Sequence, residues 1–122
     1  MAETSVSVVE LLGRIDSFLA DTQLRNTWIN TNIASIYVRK GIRFHEGELV
    51  QTFEMANITV HRRSQGIFRT LLDELEDKKP LEGLWVENVT PPRLREFFRK
   101  RGWREVTYKE HSLASYLRVW KE

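Results

Sequence analysis

Apolar residues recur at spacings of three and four between Val8 and Leu19. Val8, Leu11, Leu12, Ile15, Phe18 and Leu19 form one stripe, which predicts a helix over residues 7–20, with Ser7 and Glu10 at capping-box spacing. Asp21 to Asn32 shows no clear period and reads as loop or an irregular turn. Two β-rich runs, Ile33–Phe44 and Leu49–Val60, flank His45, Glu46, Gly47 and Glu48, the pattern of a hairpin. The helical period then returns. Ile67, Phe68, Leu71, Leu72 and Leu75 give a second helix its buried face, Asp73, Glu74, Glu76 and Asp77 its wet face, and Lys78, Lys79 and Pro80 stop it. Gly83–Val89 reads as a strand. Thr90 stands where it would cap a third helix, with Pro91 and Pro92 in the first turn, Leu94, Phe97 and Phe98 on the core face and Gly102 at the end. Trp103–Tyr108 and Leu113–Trp120 close the chain as strands, and Trp85, Trp103 and Trp120 read as core.

The predicted order is helix, strand, strand, helix, strand, helix, strand, strand. The strand, helix, strand unit from Leu49 to Val89 requires a parallel crossover, whereas the flanking hairpins pair antiparallel. The expected class is therefore α/β in the mixed, α+β sense: a centrally parallel sheet flanked by helices. With 122 residues and no repeat, linker or low-complexity segment, one domain over residues 1–122 is expected.

Composition removes several alternatives. A hydrophobic fraction of 41% with 30% charged residues fits a folded globular chain rather than a disordered or membrane-spanning one. The absence of cysteine excludes disulfide scaffolds, cysteine nucleophiles and thiolate metal sites, and makes a reducing, cytoplasmic home the expectation. Glu10, Arg14 and Asp16 interrupt the first apolar stretch, so no signal peptide is expected, and no run reaches transmembrane length. His45, His61 and His111 have no ligand spacing, so no metal is expected.

Net charge is only +2, but RLREFFRKRGWR between Arg93 and Arg104 is strongly basic. Arg93, Arg95, Arg99, Lys100, Arg101 and Arg104 would suit nucleic-acid phosphates. Against that, Phe97 and Phe98 are at core spacing, and the cations cover the outer face as on an ordinary solvated helix.

The stretch NITVHRRSQGIFRTLLDEL, from Asn57 to Leu75, carries the sharpest chemical signal. A strand enters a helix through a basic turn with one glycine, so the first N–H groups of the helix and the positive end of its dipole face outward, an arrangement that favours a phosphate.

EMANITV, QGIFRTLLDELE, GLWVENV and RLREFFRKRGW resemble, in that order, the central strand, cofactor turn and helix, following strand and last helix of the GNAT superfamily of N-acetyltransferases. The likeness covers residues 49 to 108 and is greatest to small stand-alone members of the kind found in bacteria and phages. It implies acetyl-CoA as co-substrate, lying where two neighbouring parallel strands splay apart, with its pyrophosphate on backbone N–H groups of the turn. Carried over residue by residue, the cofactor positions are Arg62, Arg63, Ser64, Gln65, Gly66, Ile67, Phe68 and Arg69. Ile58, Thr59 and Val60 lie along the pantetheine arm, and Asn88 follows on the next strand. Phe68 departs from the small residue of the family pattern, with its ring free to turn into the core, and the turn is about two residues shorter than usual.

The resemblance further implies transfer of acetyl to a primary amine, on a small molecule or a protein, and leaves the assembly open between a monomer and a homodimer. Glu54 is the candidate base. On a strict period of two it shares a face with Ala56, Ile58 and Val60, an apolar neighbourhood expected to raise its pKa. Phe98 stands where the family often carries a tyrosine that protonates the departing thiolate; Tyr108 and Tyr116 are the alternatives, or the thiolate, whose thiol has a pKa of about 8.5, leaves unassisted. A binding module on the same fold that has lost catalysis is the other reading.

Overall fold

The computed structural model describes residues 2–61, 66–107 and 114–120. In chain order its elements are α1 (Ala2–Ala20), β1 (Asn26–Asn30), β2 (Ala34–His45), β3 (Glu48–Val60), α2 (Ile67–Lys78), β4 (Gly83–Val89), α3 (Pro92–Lys100), β5 (Arg104–Thr107) and β6 (Ala114–Val119). Among the described residues the strands form one sheet in the order β1-β2-β3-β4-β6-β5. β3 and β4 pair in parallel around the α2 crossover, and the other neighbours are antiparallel. This is the mixed, centrally parallel sheet that the element order predicts. None of these helices is long and apolar enough to cross a membrane.

Three boundaries differ from the sequence reading. β1 lies within Asp21–Asn32, where no period is legible. Of its five residues only Ile29 is buried, so pairing with β2, Trp28 opposite Tyr37, supplies the order that periodicity does not. α1 begins at Ala2, ahead of the capping-box signal, because Ala2 to Val6 contains neither Gly nor Pro. α3 is capped by Pro91 rather than Thr90. A residue before proline is driven out of the α region, so Pro91 stays extended (φ −64°, ψ 127°) and helix starts only at Pro92. The hairpin between β2 and β3 closes through Glu46 (φ 50°) and Gly47 (φ 82°), the two positive φ values that a two-residue turn of the favoured hand requires.

The two faces of the sheet are chemically distinct. Val38, Met55, Val86 and Tyr116 are neighbours across four strands on one face, and the buried stripes of α1 and α2 and Phe98 of α3 join them in the main core. Arg39, Glu54, Trp85 and Leu117 form the adjacent row on the other face. That face holds a smaller apolar cluster, Val50, Trp85, Leu117 and Val119, and most of the buried polar side chains.

β3 and β4 pair from Thr52 opposite Gly83 to Met55 opposite Val86, and the ladder stops there although both strands continue. Just beyond, each strand carries one extra residue relative to its outer neighbour. Between Ala56 and Thr59, β3 takes three steps to the two that β2 takes between Tyr37 and Ser35. Between Val86 and Val89, β4 takes three to the two of β6 between Tyr116 and Ala114. Asn57 (φ 49°) and Asn88 (φ 55°) occupy the left-handed region at these bulges, where asparagine is tolerated better than branched residues. The bulge at Asn57 reverses the alternation of β3. Ile58 and Val60 pack on the main core together with Met55, so they do not share a face with Glu54 as a strict period of two predicts.

Asn57→Gly is therefore expected to leave stability within about 0.5 kcal/mol of wild type, while Asn57→Val costs roughly 1–3 kcal/mol through backbone strain. Urea unfolding of the two variants checks this; a valine as stable as the glycine would mean that the left-handed bulge is not required.

Candidate active site

The parting of β3 and β4 opens a cavity of about 820 Å³. Ala56, Asn57, Ile58 and Val60 line it from β3 and Val86 to Val89 from β4. Gly66 to Arg69 line it from the start of α2, and Pro91, Arg93, Leu94 and Phe97 from the start of α3. Tyr37 and Arg39 reach it from β2. Gly66 sits at the α2 N-terminus with φ 62°, and a Cβ built there meets no atom of the described residues within 4 Å. The first N–H groups of a helix have no intrahelical partner and act as anion donors. Arg69 and Arg93 are exposed beside this end of the cavity, and neither makes an ion pair among the described residues.

At the strand end the chemistry is set by Glu54. Its carboxylate is 1% exposed and accepts Arg39 Nε (2.6 Å) and Arg43 Nη2 (2.9 Å) on Oε1, and Arg43 Nε (2.7 Å) and Thr52 Oγ1 (2.7 Å) on Oε2. Gly41, between the two arginines on the same face of β2, makes the room, since a Cβ there would lie 2.3 Å from Oε2. Arg43 also stacks on Trp85, 3.8 Å from the ring centroid. Burial alone would raise the Glu54 pKa. The hydrogen bonds from Arg43, Thr52 and Arg39 and the charge of Arg43 outweigh it and hold the carboxyl below its ordinary value. The apolar, pKa-raising neighbourhood expected for Glu54 is thus replaced by a cationic one, because Tyr37, Arg39, Gly41 and Arg43 alternate onto its face of the sheet.

The remaining sequence candidates divide into three groups. Ile58, Val60, Gly66, Ile67, Phe68, Arg69 and Asn88 line the cavity; Glu54, Thr59, Phe98 and Tyr116 do not. Arg62, Arg63, Ser64, Gln65 and Tyr108 lie outside the described residues. Phe68 packs edge-on against Phe98 (6.1 Å between centroids), the inward turn expected of its ring. Phe98 is fully buried and stacks on Tyr116 at 4.7 Å. The Tyr116 hydroxyl donates to Glu105 at 2.5 Å, and burial followed by that hydrogen bond and charge pushes the phenol far up. Asn88 is a bulge residue, and its N–H donates to Ser115 Oγ at 3.0 Å.

Sequence reasoning missed Tyr37, Arg39 and Glu87 as cavity residues and offered Arg93 only among the cations of the basic run. A signal was present for the first two: Ile36 and Val38 alternate with Tyr37 and Arg39, polar groups on one face of an otherwise apolar strand. Within the basic run, Arg99 pairs with Glu96 and Glu105, and Arg101 with Asp73 and Glu76, so these cations are balanced within the chain.

No protein-family model matches the sequence, and no curated protein matches it. Solved structures do. A mutant of the AtaT toxin bound to the C-terminus of the antitoxin AtaR and acetyl-CoA superposes with a TM-score of 0.50 at 12% identity, over 71% of this chain and 58% of that one. For NAA60 of Arabidopsis thaliana with acetyl-CoA the score is 0.44 at 14% identity, over 72% and 64%, and for a KacTA–DNA complex 0.47 at 13%, over 86% and 79%. This chain thus spans less than two thirds of the AtaT and NAA60 chains. At such identities the likeness is one of fold, and the fold is that of the GNAT N-acetyltransferases.

Because Glu54 has a lowered folded pKa, its contribution to stability is present above the unfolded carboxylate value, about 4.3, and is lost as pH falls through the folded value. Glu54→Gln should cost about 3 kcal/mol at pH 7, by leaving Arg39 and Arg43 short of a partner. Below about pH 4.3 the variant should lose stability less steeply than wild type, with the residual slope belonging to other carboxyls such as Glu105. Denaturant unfolding between pH 2.5 and 7 measures both; identical acid limbs would show that Glu54 is not held ionised by these partners.

Proposed function

We propose that the protein is an acetyl-CoA-dependent N-acetyltransferase acting on a primary amine. The observation that carries this reading is the end of the β3–β4 ladder at Met55 and Val86, with a cavity running from that gap to the glycine at the start of α2. Acetyl-CoA supplies an activated acyl group, a thioester whose carbonyl an unprotonated amine attacks. The chain's part is to hold it and orient the amine. Backbone N–H groups of Ile58 and Val60 lie beyond the β4 ladder and suit the thioester oxygen and pantetheine amides, an oxyanion-type contact. The first-turn N–H groups after Gly66, with Arg69 and Arg93 beside them, suit the pyrophosphate.

No acid needs to be assigned. Phe98 has no proton to give, the Tyr116 hydroxyl is committed to Glu105 and Tyr108 lies outside the described residues; a thiolate of ordinary acidity leaves unassisted. The first two facts are what favour the alternative of a binding module that retains acetyl-CoA without turnover. Thiol release separates the two.

Acetyl-CoA should raise the melting temperature, the stabilisation reaching about 2.7 kcal/mol at a hundredfold excess over Kd, whereas adenosine should not. Gly66→Val should remove the shift while the variant still folds, since its Cβ meets no atom of the described residues but occupies the space over the first turn; the strained φ costs it about 1–2 kcal/mol. No shift with millimolar acetyl-CoA would dismiss the reading. A shift without release of free thiol across a panel of primary amines would leave the binding module.

A further inference from the structure

Glu87 lines the cavity one residue beyond the last β4 residue paired with β3. Three donors converge on its Oε1: Arg39 Nη2, Arg43 Nη2 at 3.4 Å and Trp85 Nε1 at 3.1 Å. Its Oε2 accepts no hydrogen bond among the described residues, although the side chain is only 25% exposed. Glu54 differs in this respect, since both of its oxygens are fully engaged and it has no exposure to the cavity. In the cluster of two guanidiniums and two carboxylates, the acceptor capacity left over among the described residues is therefore one oxygen, on a residue that lines the cavity. This oxygen is open to solvent, and a charged donor is the strongest partner it can take. The rest of the cavity is polarised in the complementary sense, with Arg69 and Arg93, which make no ion pair among the described residues, at the helix end and the Glu87 carboxylate at the strand end.

We propose that Oε2 of Glu87 receives the ammonium group of the acceptor, and that Glu54 acts one step removed, as the positioning residue that fixes Arg39 and Arg43 and through them Oε1 of Glu87. The proposal rests on the acetyl-CoA reading and adds a substrate class to it: an acceptor that arrives as a cation, an aliphatic amine rather than an alcohol or a neutral arylamine. Glu87 is then a specificity-determining group for amines that arrive charged at the point where the two strands part; the bound ammonium gives one proton to the carboxylate or to water before its nitrogen attacks the thioester carbonyl. Trp85, whose indole N–H donates to the same Oε1 and whose ring carries Arg43, forms the floor of this arrangement.

The test uses two CoA thioethers as probes, S-(3-aminopropyl)-CoA, which ends in an ammonium, and S-butyl-CoA, its neutral counterpart of the same length. Isothermal titration at pH 7 should show wild type binding the ammonium probe about tenfold tighter than the neutral one. Glu87→Gln should reduce that ratio to about one with affinity for CoA itself unchanged. Glu54→Gln should lower the ratio about threefold without changing the S-butyl-CoA affinity; since an unfolded fraction affects both probes equally, the ratio reports positioning and not stability. Failure of CoA itself to bind wild type would overturn the acetyl-CoA reading and this proposal together. Binding of CoA and both probes without an ammonium preference would overturn the assignment of Glu87 alone. A wild-type ratio kept in Glu54→Gln would remove the positioning role of Glu54.

Discussion

A ladder of hydrogen bonds that ends in the middle of a sheet is the constraint on which the rest of this structure depends. Backbone N–H and C=O groups are obligatory hydrogen-bonding groups, and interior strands normally satisfy them on both edges. Here β3 keeps β2 on its outer edge and β4 keeps β6 on its outer edge, while their inner edges separate after Met55 and Val86. An extra residue in each strand, marked by Asn57 and Asn88 in the left-handed region, turns the two strands apart at the same level. Because the outer ladders are fixed, the gap cannot close by a shift of register. The cavity, its exposed amide edge and its direction toward the start of α2 all follow from that.

The helix side holds the other end of the cavity in place. Phe98 is at the centre of an aromatic group in which Phe68 of α2, Phe97, Trp103 and Tyr116 each lie within about 6 Å of its ring. That group ties the first turn of α2 to α3 and to β6. Glu76 of α2 reinforces it by accepting Trp103 Nε1 at 2.7 Å and pairing with Arg101. The first turns of both helices are thereby set against the splayed strands, so the helix end and the strand edge of the cavity stand in a fixed relation.

On the opposite face the sheet buries charge. A buried ion pair is not in itself a strong source of stability, because desolvation consumes much of the Coulombic gain, and apolar residues of similar volume often do as well. What the Arg39, Arg43, Glu54 and Thr52 arrangement supplies is direction: a guanidinium held in a fork over a fully bonded carboxylate has little freedom left. Gly41 is the residue that permits it, by leaving out the one side chain that would occupy the carboxylate's place. Glu87 inherits that rigidity through the same two arginines.

The elements whose order is carried by local period were legible in the sequence. The stripes of α1 and α2, the turn at Glu46 and Gly47, the β3, α2, β4 unit and the inward ring of Phe68 all follow from spacing, and the family motifs read from residues 49 to 108 point to the fold observed. β1 was not legible, since five residues with a single buried side chain carry no period and take their order from β2. Nor was the face of Glu54. A strict period of two carried through EMANITV passes over two adjacent apolar residues, Met55 and Ala56, and one residue with positive φ at Asn57 exchanges the two faces, so Ile58 and Val60 join the core while Glu54 looks the other way. Its partners come from 15 and 11 residues upstream on β2, and Glu87 joins Arg39 from 48 residues downstream. Local period assigns a side chain to a face only while the backbone stays regular; which charges meet on that face depends on which strands lie side by side, and that is decided by the assembled sheet.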